Sequence, residues 1–274
     1  MSKFCRAVPW FFLMLSATAL PQTFEEIKIK PANTADPRNM RMQVLPTGEL
    51  IARAVPVITL LSYAYDVPSN PSPRLLSLPD WAVGERYDIE AKAPVNAIPA
   101  SFQDNEAQER VKGMIRQLLA DRFHLIMRTK SERMEVYILT VSSGGPHLQK
   151  STLTTKDCVF DTDPQGCHNF AIGFGHPLIA RAVSMDDLAH YIENWTDLPV
   201  VNRSELSGLF TLNTEGWLPM RLPPPPPNTT PSANVFASLP SIFTVLGKLG
   251  LELHRQEEYL PVYTVERIDQ PEAN

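Results

Sequence analysis

Few side chains in this 274-residue chain stand at spacings that could do chemistry. Cys158 and Cys167 are nine positions apart, with His168 and His176 close behind them. Two thiols so placed either close a short disulfide or join the two imidazoles around a metal. No ligand spacing here fits a zinc pattern, so we expect a disulfide, which for so short a loop contributes on the order of 2–3 kcal/mol. Asp161, Asp163 and Gln165, with Gly166 after them, imitate the first half of a calcium loop. Position 12 of that loop is Ile172, where calcium needs a bidentate Glu, so an acidic loop is expected and no metal. His124, His190 and Asp88 are the side chains a hydrolase could recruit as acid or base. A lone histidine on a helix flank is usually solvated or hydrogen-bonded, and none of the three has a companion at motif spacing. His254 stands where the first half of the chain has Arg128, and a cation on an exposed strand explains both. There is no Gly-x-Ser-x-Gly elbow, no His-Glu-x-x-His helix and no phosphate-cradling glycine loop. We therefore expect no catalytic residue and no cofactor. Trp81, Trp195, Trp217, Tyr259 and Tyr263 cluster near loops and strand ends and are expected to pack rather than to recognise a ligand. Asn194, Asn202 and Asn228 fit the glycosylation sequon, which matters only in a eukaryotic secretory route.

The elements that must position these residues come in two sets. Ala52-Arg53-Ala54-Val55 recurs as Ala180-Arg181-Ala182-Val183, an offset of 128 (180 − 52). Phe123-His124-Leu125 meets Leu249-Gly250-Leu251, and Met134-Glu135-Val136-Tyr137 meets Leu260-Pro261-Val262-Tyr263, both at 126 (249 − 123, 260 − 134). Self-similarity at this period points to a duplicated supersecondary unit.

The alternation from Phe24 to Lys30 predicts a half-buried strand. Met40–Leu45 and Glu49–Ala54 predict a hairpin around Pro46-Thr47-Gly48. Pro56 suits a helix start, with Val57, Leu60, Leu61 and Ala64 on its apolar face. The second half answers with Met185, Leu188, Ala189 and Ile192, opened by Ser184 and Asp187 at capping-box spacing. Tyr87–Ala91 and Phe210–Thr214 read as strands, the latter in a hairpin with Pro199–Asn202. A second helix spans Asn105–Arg122 in the first half, with Val111, Met114, Ile115, Leu118 and Leu119 inward. Its counterpart runs from about Leu239 to Leu249, with Leu239, Ile242, Phe243 and Leu246 inward. Each half then ends in two strands, Leu125–Thr129 with Val136–Val141, and Leu251–Arg255 with Val262–Arg267. The expected fold is α+β: two tandem repeats of a helix-strand-strand-helix-strand-strand unit, helices packed on one face of a mixed sheet. The units span 24–141 and 180–270, joined by a disulfide-clipped loop at 142–179. Pro223–Pro227 lie in an insertion at 222–231 that reads as a stiff polyproline spacer.

Residues 1–19 read as a signal peptide: Lys3 and Arg6, an apolar run from Ala7 to Leu15, then Ala17 and Ala19 at the small-residue positions, with cleavage after Ala19. Cys5 precedes the apolar run, so no lipid anchor is expected at the cleavage point. The run is too short for a bilayer span, and no other stretch is long or apolar enough. Losing two cations takes the formal charge from −5 to −7, which argues against nucleic acid as a partner. An exported location, periplasmic or extracellular, follows.

Several landmarks carry a family likeness: Phe24–Pro31, Pro79-Asp80-Trp81, Tyr87–Lys92, Leu118–Leu125, Gly144–Leu148, Pro199–Arg203 and the terminal Val262-Tyr263 strand. Through them the chain resembles a soil-associated family of uncharacterised proteins, a domain of unknown function abundant in Acidobacteria. Where that family shows Gly-x-Phe-Asp, this chain has Thr211 after Phe210, which puts any role of that Asp in doubt. The resemblance implies no catalytic residues. Related domains sit on membrane sensor proteases, which implies a sensing or binding role outside the cytoplasm. Each half is also similar to the short N-terminal domain of secretins and TonB-dependent transporters, which recognises protein partners. The expected function is a non-catalytic binding protein for an envelope protein or an unknown ligand. The alternatives are a hydrolase with its site between the halves and a sensor input domain.

Overall fold

A computed structural model describes residues 23–33, 40–45, 47–69, 72–99, 101, 104–154, 157, 167–171, 173–221 and 238–272. The expected signal peptide, Cys158, the Asp161–Gly166 loop, Ile172 and the 222–231 insertion lie outside these residues. The described residues form a mixed α+β architecture of eleven strands in three sheets and five helices. None of these helices is long and apolar enough to cross a membrane.

The first sheet has the order β1-β5-β3-β2. Alternation drives β1 (Glu26–Pro31), which pairs antiparallel with β5 (Tyr87–Lys92). β2 (Arg41–Val44) and β3 (Leu50–Val55) form the expected hairpin, and Gly48 takes φ +86° at its tip, a conformation that glycine reaches without strain. Pro56 is the N-cap residue of α1 (Val57–Tyr65), one position earlier than expected, because its extended ψ of 157° precedes the first helical residue. The predicted face of α1 is buried, as is that of α3 (Asp104–Phe123), and the two helices pack together over the sheet. The short β4 (Leu75–Leu76) and α2 (Trp81–Gly84) lie between α1 and β5.

In the second half, β7 (Gln149–Lys150), β10 (Phe210–Asn213) and β8 (Ile179–Val183) form a sheet in that order. α4 (Met185–Glu193) opens on the predicted capping box, Ser184 Oγ accepting from the Asp187 amide and Asp187 from the Ser184 amide. The last helix, α5 (Ile242–Lys248), is capped by Ser241, which sets its phase so that Ile242, Val245 and Leu246 point inward. Phe243, expected in that face, is instead 42% exposed and meets the Tyr137 ring edge-on at 5.7 Å.

Two further expectations are corrected. β9 (Val200–Asn202) does not form a hairpin with β10; it pairs in parallel with Tyr137–Leu139 in another sheet. Asn202 turns the chain there, its side chain accepting from the Ser204 amide (3.0 Å) and hydroxyl (2.7 Å). The closing strand pairs are in fact two continuous strands, β6 (Ile126–Val141) and β11 (Leu251–Arg267), paired antiparallel along their length in a sheet of order β4-β11-β6-β9. Ser131-Glu132-Arg133 and Glu257-Glu258 read as turns in isolation, but in the middle of a solvated two-stranded ribbon polar side chains cost nothing.

The register of that ribbon is self-consistent in an unusual way. The two residue numbers of each pair add to 392, from Val141↔Leu251 to Met127↔Val265, and Arg133↔Tyr259, next to the midpoint, are themselves 126 apart. A shift of 126 carries Tyr137↔Arg255 onto Tyr263↔Thr129, so the ladder maps onto itself. β4 joins β11 at Tyr263 as β9 joins β6 at Tyr137, both parallel. Each long strand begins in one core and ends in the other. Leu125 and Met127 of the β6 end and Val265 of the β11 end serve the first core. Tyr137 and Leu139 with Leu251 and Leu253 serve the second.

Candidate functional site

The C-terminal ends of α1 and α4 converge where the two cores meet. Helix C-termini expose unpaired carbonyls and a partial negative charge, and cations gather on both. Arg116 Nε donates to Ala64 O (2.7 Å), Arg74 Nη2 to Asp66 O (3.1 Å) and Arg221 Nη2 to Glu193 O (2.7 Å). Asp66 takes φ +50° to end α1, and its carboxylate accepts from Lys112 of α3 (2.8 Å).

The halves are joined across this junction. Asn194 Oδ1 accepts from the Ser69 amide (3.1 Å) and hydroxyl (3.3 Å). Arg74 Nη1 meets both oxygens of Glu193, at 3.1 and 3.3 Å. Arg74 is 9% exposed and Glu193 3%, so this is a buried ion pair. Burial pushes the Glu193 carboxyl above the ordinary glutamate value, although Arg74, the Val200 amide and Arg221 pull the other way.

Beside the pair lies a cleft of about 250 Å³, lined by Asp66, Arg74, Asp186, His190, Glu193 and Asn202 among others. Asp186 and His190 are one turn apart on α4 and share its cleft face. Asp186 accepts from Asn202 Nδ2 (2.8 Å). Burial holds the His190 imidazole below its ordinary value; Arg74 and Lys112 act in the same direction, and Asp66 and Asp187 oppose it. At neutral pH the ring is uncharged, with one nitrogen to donate and one to accept. Arg74 keeps one further donor, Nε, without a partner among the described residues. The cleft therefore holds three carboxylates, Asp66, Asp186 and Glu193, and two arginines, Arg74 and Arg203, of which Arg74 is committed to Glu193. Asp186, bonded to Asn202 and to no cation among the described residues, is where a positively charged group can enter without displacing a protein cation, and His190 offers hydrogen bonding beside it.

Of the three residues a hydrolase could recruit, only His190 is here. His124 caps α3 in the left-handed region (φ 49°), with Nδ1 3.4 Å from Asp269. Asp88 is committed to the backbone of its own sheet. Its carboxylate accepts from the Ala54 amide (3.0 Å), where β3 bulges against β5 and Ala54 takes φ +50°. Thr211 occupies the matching place on β10, its hydroxyl donating to Arg181 O (2.8 Å) beside the register shift between β10 and β8. Of the histidines near the cysteines, His168 Nδ1 lies 2.6 Å from Asp187, whereas His176 stacks on Trp195 with ring centres 3.6 Å apart. Cys167 itself is buried beside Ala182 and Leu209. No group of three metal-ligating side chains occurs among the described residues.

Ser184, Asp187 and His168 hold the residue types of an acyl-transfer triad in the wrong order. The Ser184 hydroxyl donates to Asp187 (2.7 Å), so its proton goes to the carboxylate rather than to an imidazole that could carry it. Burial opposes ionisation of Asp187, but the bonds from His168 and Ser184 together prevail and lower it. The trio is a helix cap. A second cleft, of about 320 Å³, lies between Pro31–Asn33 and Gly84–Tyr87. Its Arg86 is committed to Ala54 O (3.0 Å), and its Tyr87 hydroxyl donates to Glu85 (2.8 Å).

Arg128 bonds Glu266 (2.8 Å) and His254 Glu252 (3.0 Å), as cations on exposed strands do. Trp217 is fully buried, the Tyr263 ring meets that of Tyr65 at a tilt with centres 5.0 Å apart, and Tyr259 stands 68% exposed near the middle of the ribbon. Sequence reasoning missed Arg74, Asp66, Asp186 and Glu193. Glu193 alone left a trace, because it continues the Met185-Ala189 apolar stripe of α4, where a carboxylate must find a partner.

A family model described as protein of unknown function (DUF3738) matches residues 58–268, and the chain belongs to that family. No curated protein and no solved structure matches it.

Proposed function

We propose that this DUF3738 protein is an exported, non-catalytic binding protein of the periplasm or cell exterior, and that its ligand or partner enters the cleft between the two halves. One observation carries the reading. The ionisable groups gathered there are bonded to one another, Glu193 to Arg74, Asp66 to Lys112 and Asp186 to Asn202, in the manner of a preformed recognition surface. Asp186, the lining carboxylate bonded to no cation among the described residues, favours an incoming ammonium or guanidinium group, on a small molecule or on a partner's side chain. Within the same reading the chain is a duplication of one unit like the short N-terminal domain of secretins and TonB-dependent transporters, in a family abundant in Acidobacteria. The 126-residue self-mapping of the β6–β11 ladder supports that origin. The Cys158–Cys167 disulfide and the signal peptide belong to it as well.

Thermal denaturation of the mature protein against a panel of amines, amino acids and basic peptides tests this. A binder is expected to raise the midpoint of the wild type but not that of Asp186→Asn, with circular dichroism as the check that the variant is folded. A panel without any such compound sinks the cleft as the recognition site. The uncharged His190 ring in the cleft favours a hydrolase as the second reading; ester or peptide hydrolysis that His190→Ala abolishes would establish it in place of the first. A sensor input domain would share the binding chemistry and differ in what it is coupled to.

A further inference from the structure

We infer that the end of β11 closes the first core, so that this core is incomplete before residues 260–270 arrive, and that the two cores, sharing both long strands, open as one unit. The first core draws on residues from Phe24 onward and is backed by the β1-β5-β3-β2 sheet, but Val265 at the end of β11 and Ile268 just beyond it also pack into it. In the order β4-β11-β6-β9, the end half of β11 lies between β4 and β6, and among the described residues β4 pairs with no other strand. Val262 and Val265 are buried, and the Tyr263 amide donates to Arg74 O (2.8 Å) while its ring rests on Tyr65. The Asp269 amide donates to Phe123 O (2.7 Å) at the end of α3, and Gln270 reaches Glu85 (2.7 Å).

The same strand begins in the second core, at Leu251 and Leu253, while β6 runs the opposite way, from Leu125 and Met127 to Tyr137 and Leu139. Opening either core therefore pulls both long strands out of the other. The link is also carried through a single residue. Arg74 holds Tyr263 with its backbone carbonyl and Glu193 with its guanidinium, so the last strand, the first core and α4 meet at one residue. Pairs such as Thr129↔Tyr263 are 134 positions apart in the chain (263 − 129) and must form late. For a chain exported unfolded this withholds the native state until residues 260–270 have followed. That consequence rests on the export reading, but the coupling does not.

Native-state hydrogen exchange on the full chain at low denaturant tests the coupling, by comparing α1 and α3 with α4 and α5. The most protected amides of all four helices are expected to exchange through one opening with one denaturant dependence. Val265→Ala, which removes two buried methyl groups, is expected to lower their protection by the same factor, roughly tenfold. The inference is overturned if the wild type shows separate openings for the two pairs of helices. It is also overturned if Val265→Ala deprotects α1 and α3 alone. The wild-type measurement decides the matter even where the variant folds poorly.

Discussion

Removing the Arg74 guanidinium leaves Glu193 buried, 3% exposed, with the Val200 amide and the charge of Arg221 still in its favour. Breaking a buried pair from one side costs about 3–5 kcal/mol, because the remaining charge is uncompensated. Arg74→Ala should therefore lower the midpoint of thermal unfolding by roughly 6–20 °C, at about 2–4 °C per kcal/mol for a chain of this size. Replacing both partners, Arg74→Met with Glu193→Leu, exchanges the pair for packed apolar groups and should recover most of that loss. The sign of the pH dependence is fixed as well. The folded Glu193 carboxyl already lies above its unfolded value, so its contribution is fully present below about pH 4.5 and is lost as pH rises through the folded value. Without Arg74 that folded value climbs further, so the cost of Arg74→Ala should be larger at pH 7 than at pH 5. Calorimetry and urea unfolding of the two single variants and the double variant at both pH values check this. A cost below about 1 kcal/mol, the range of a surface pair, would refute the reasoning, and so would a double variant as unstable as Arg74→Ala.

Asp88→Ala leaves the Ala54 amide of the bulge without its acceptor and should cost about 1–2 kcal/mol, read by urea unfolding. Ser184→Ala removes one side of the capping box and should cost about 1 kcal/mol. Asp187, lowered in the folded state, contributes stability above its unfolded value of 3.8 and loses it as pH falls through the folded one; His168→Ala should move that loss to higher pH, seen by carboxyl NMR titration. Gly250→Ala should prevent accumulation of folded protein in soluble expression trials, since φ is +70° and the added methyl would stand 2.1 Å from the Gly145 carbonyl. Peptide mapping without reductant should recover Cys158 joined to Cys167, and Cys167→Ser should cost on the order of 2–3 kcal/mol in chemical denaturation.

What was legible in the sequence was what depends on local period. The faces of α1, α3 and α4 repeat every three to four residues, and the hairpin around Gly48 carries its own turn residue, so each could be read without knowing its neighbours. Ser184 and Asp187 announced their helix start for the same reason. The long strands were hidden because their middles are charged, and only pairing with each other makes Ser131–Arg133 and Glu257–Glu258 extended. β9 was misassigned because proximity in sequence favours a hairpin, while its true partner, Tyr137–Leu139, lies about sixty residues away (200 − 137 is 63). Arg74 had no local signal at all. It stands between α1 and β4 in a stretch without period, and its value comes from Glu193, 119 positions later.

The ribbon about Arg133 and Tyr259 also dictates where the chain can tolerate a change in length. A single inserted or deleted residue in either long strand would reverse which side chains face inward on one side of the lesion, because strand side chains alternate with period two. Only one core could keep its packing. Evolutionary gain or loss of residues should therefore be confined to segments such as the turn at Thr47-Gly48, while the rungs between Lys130 and Glu135 stay fixed in number.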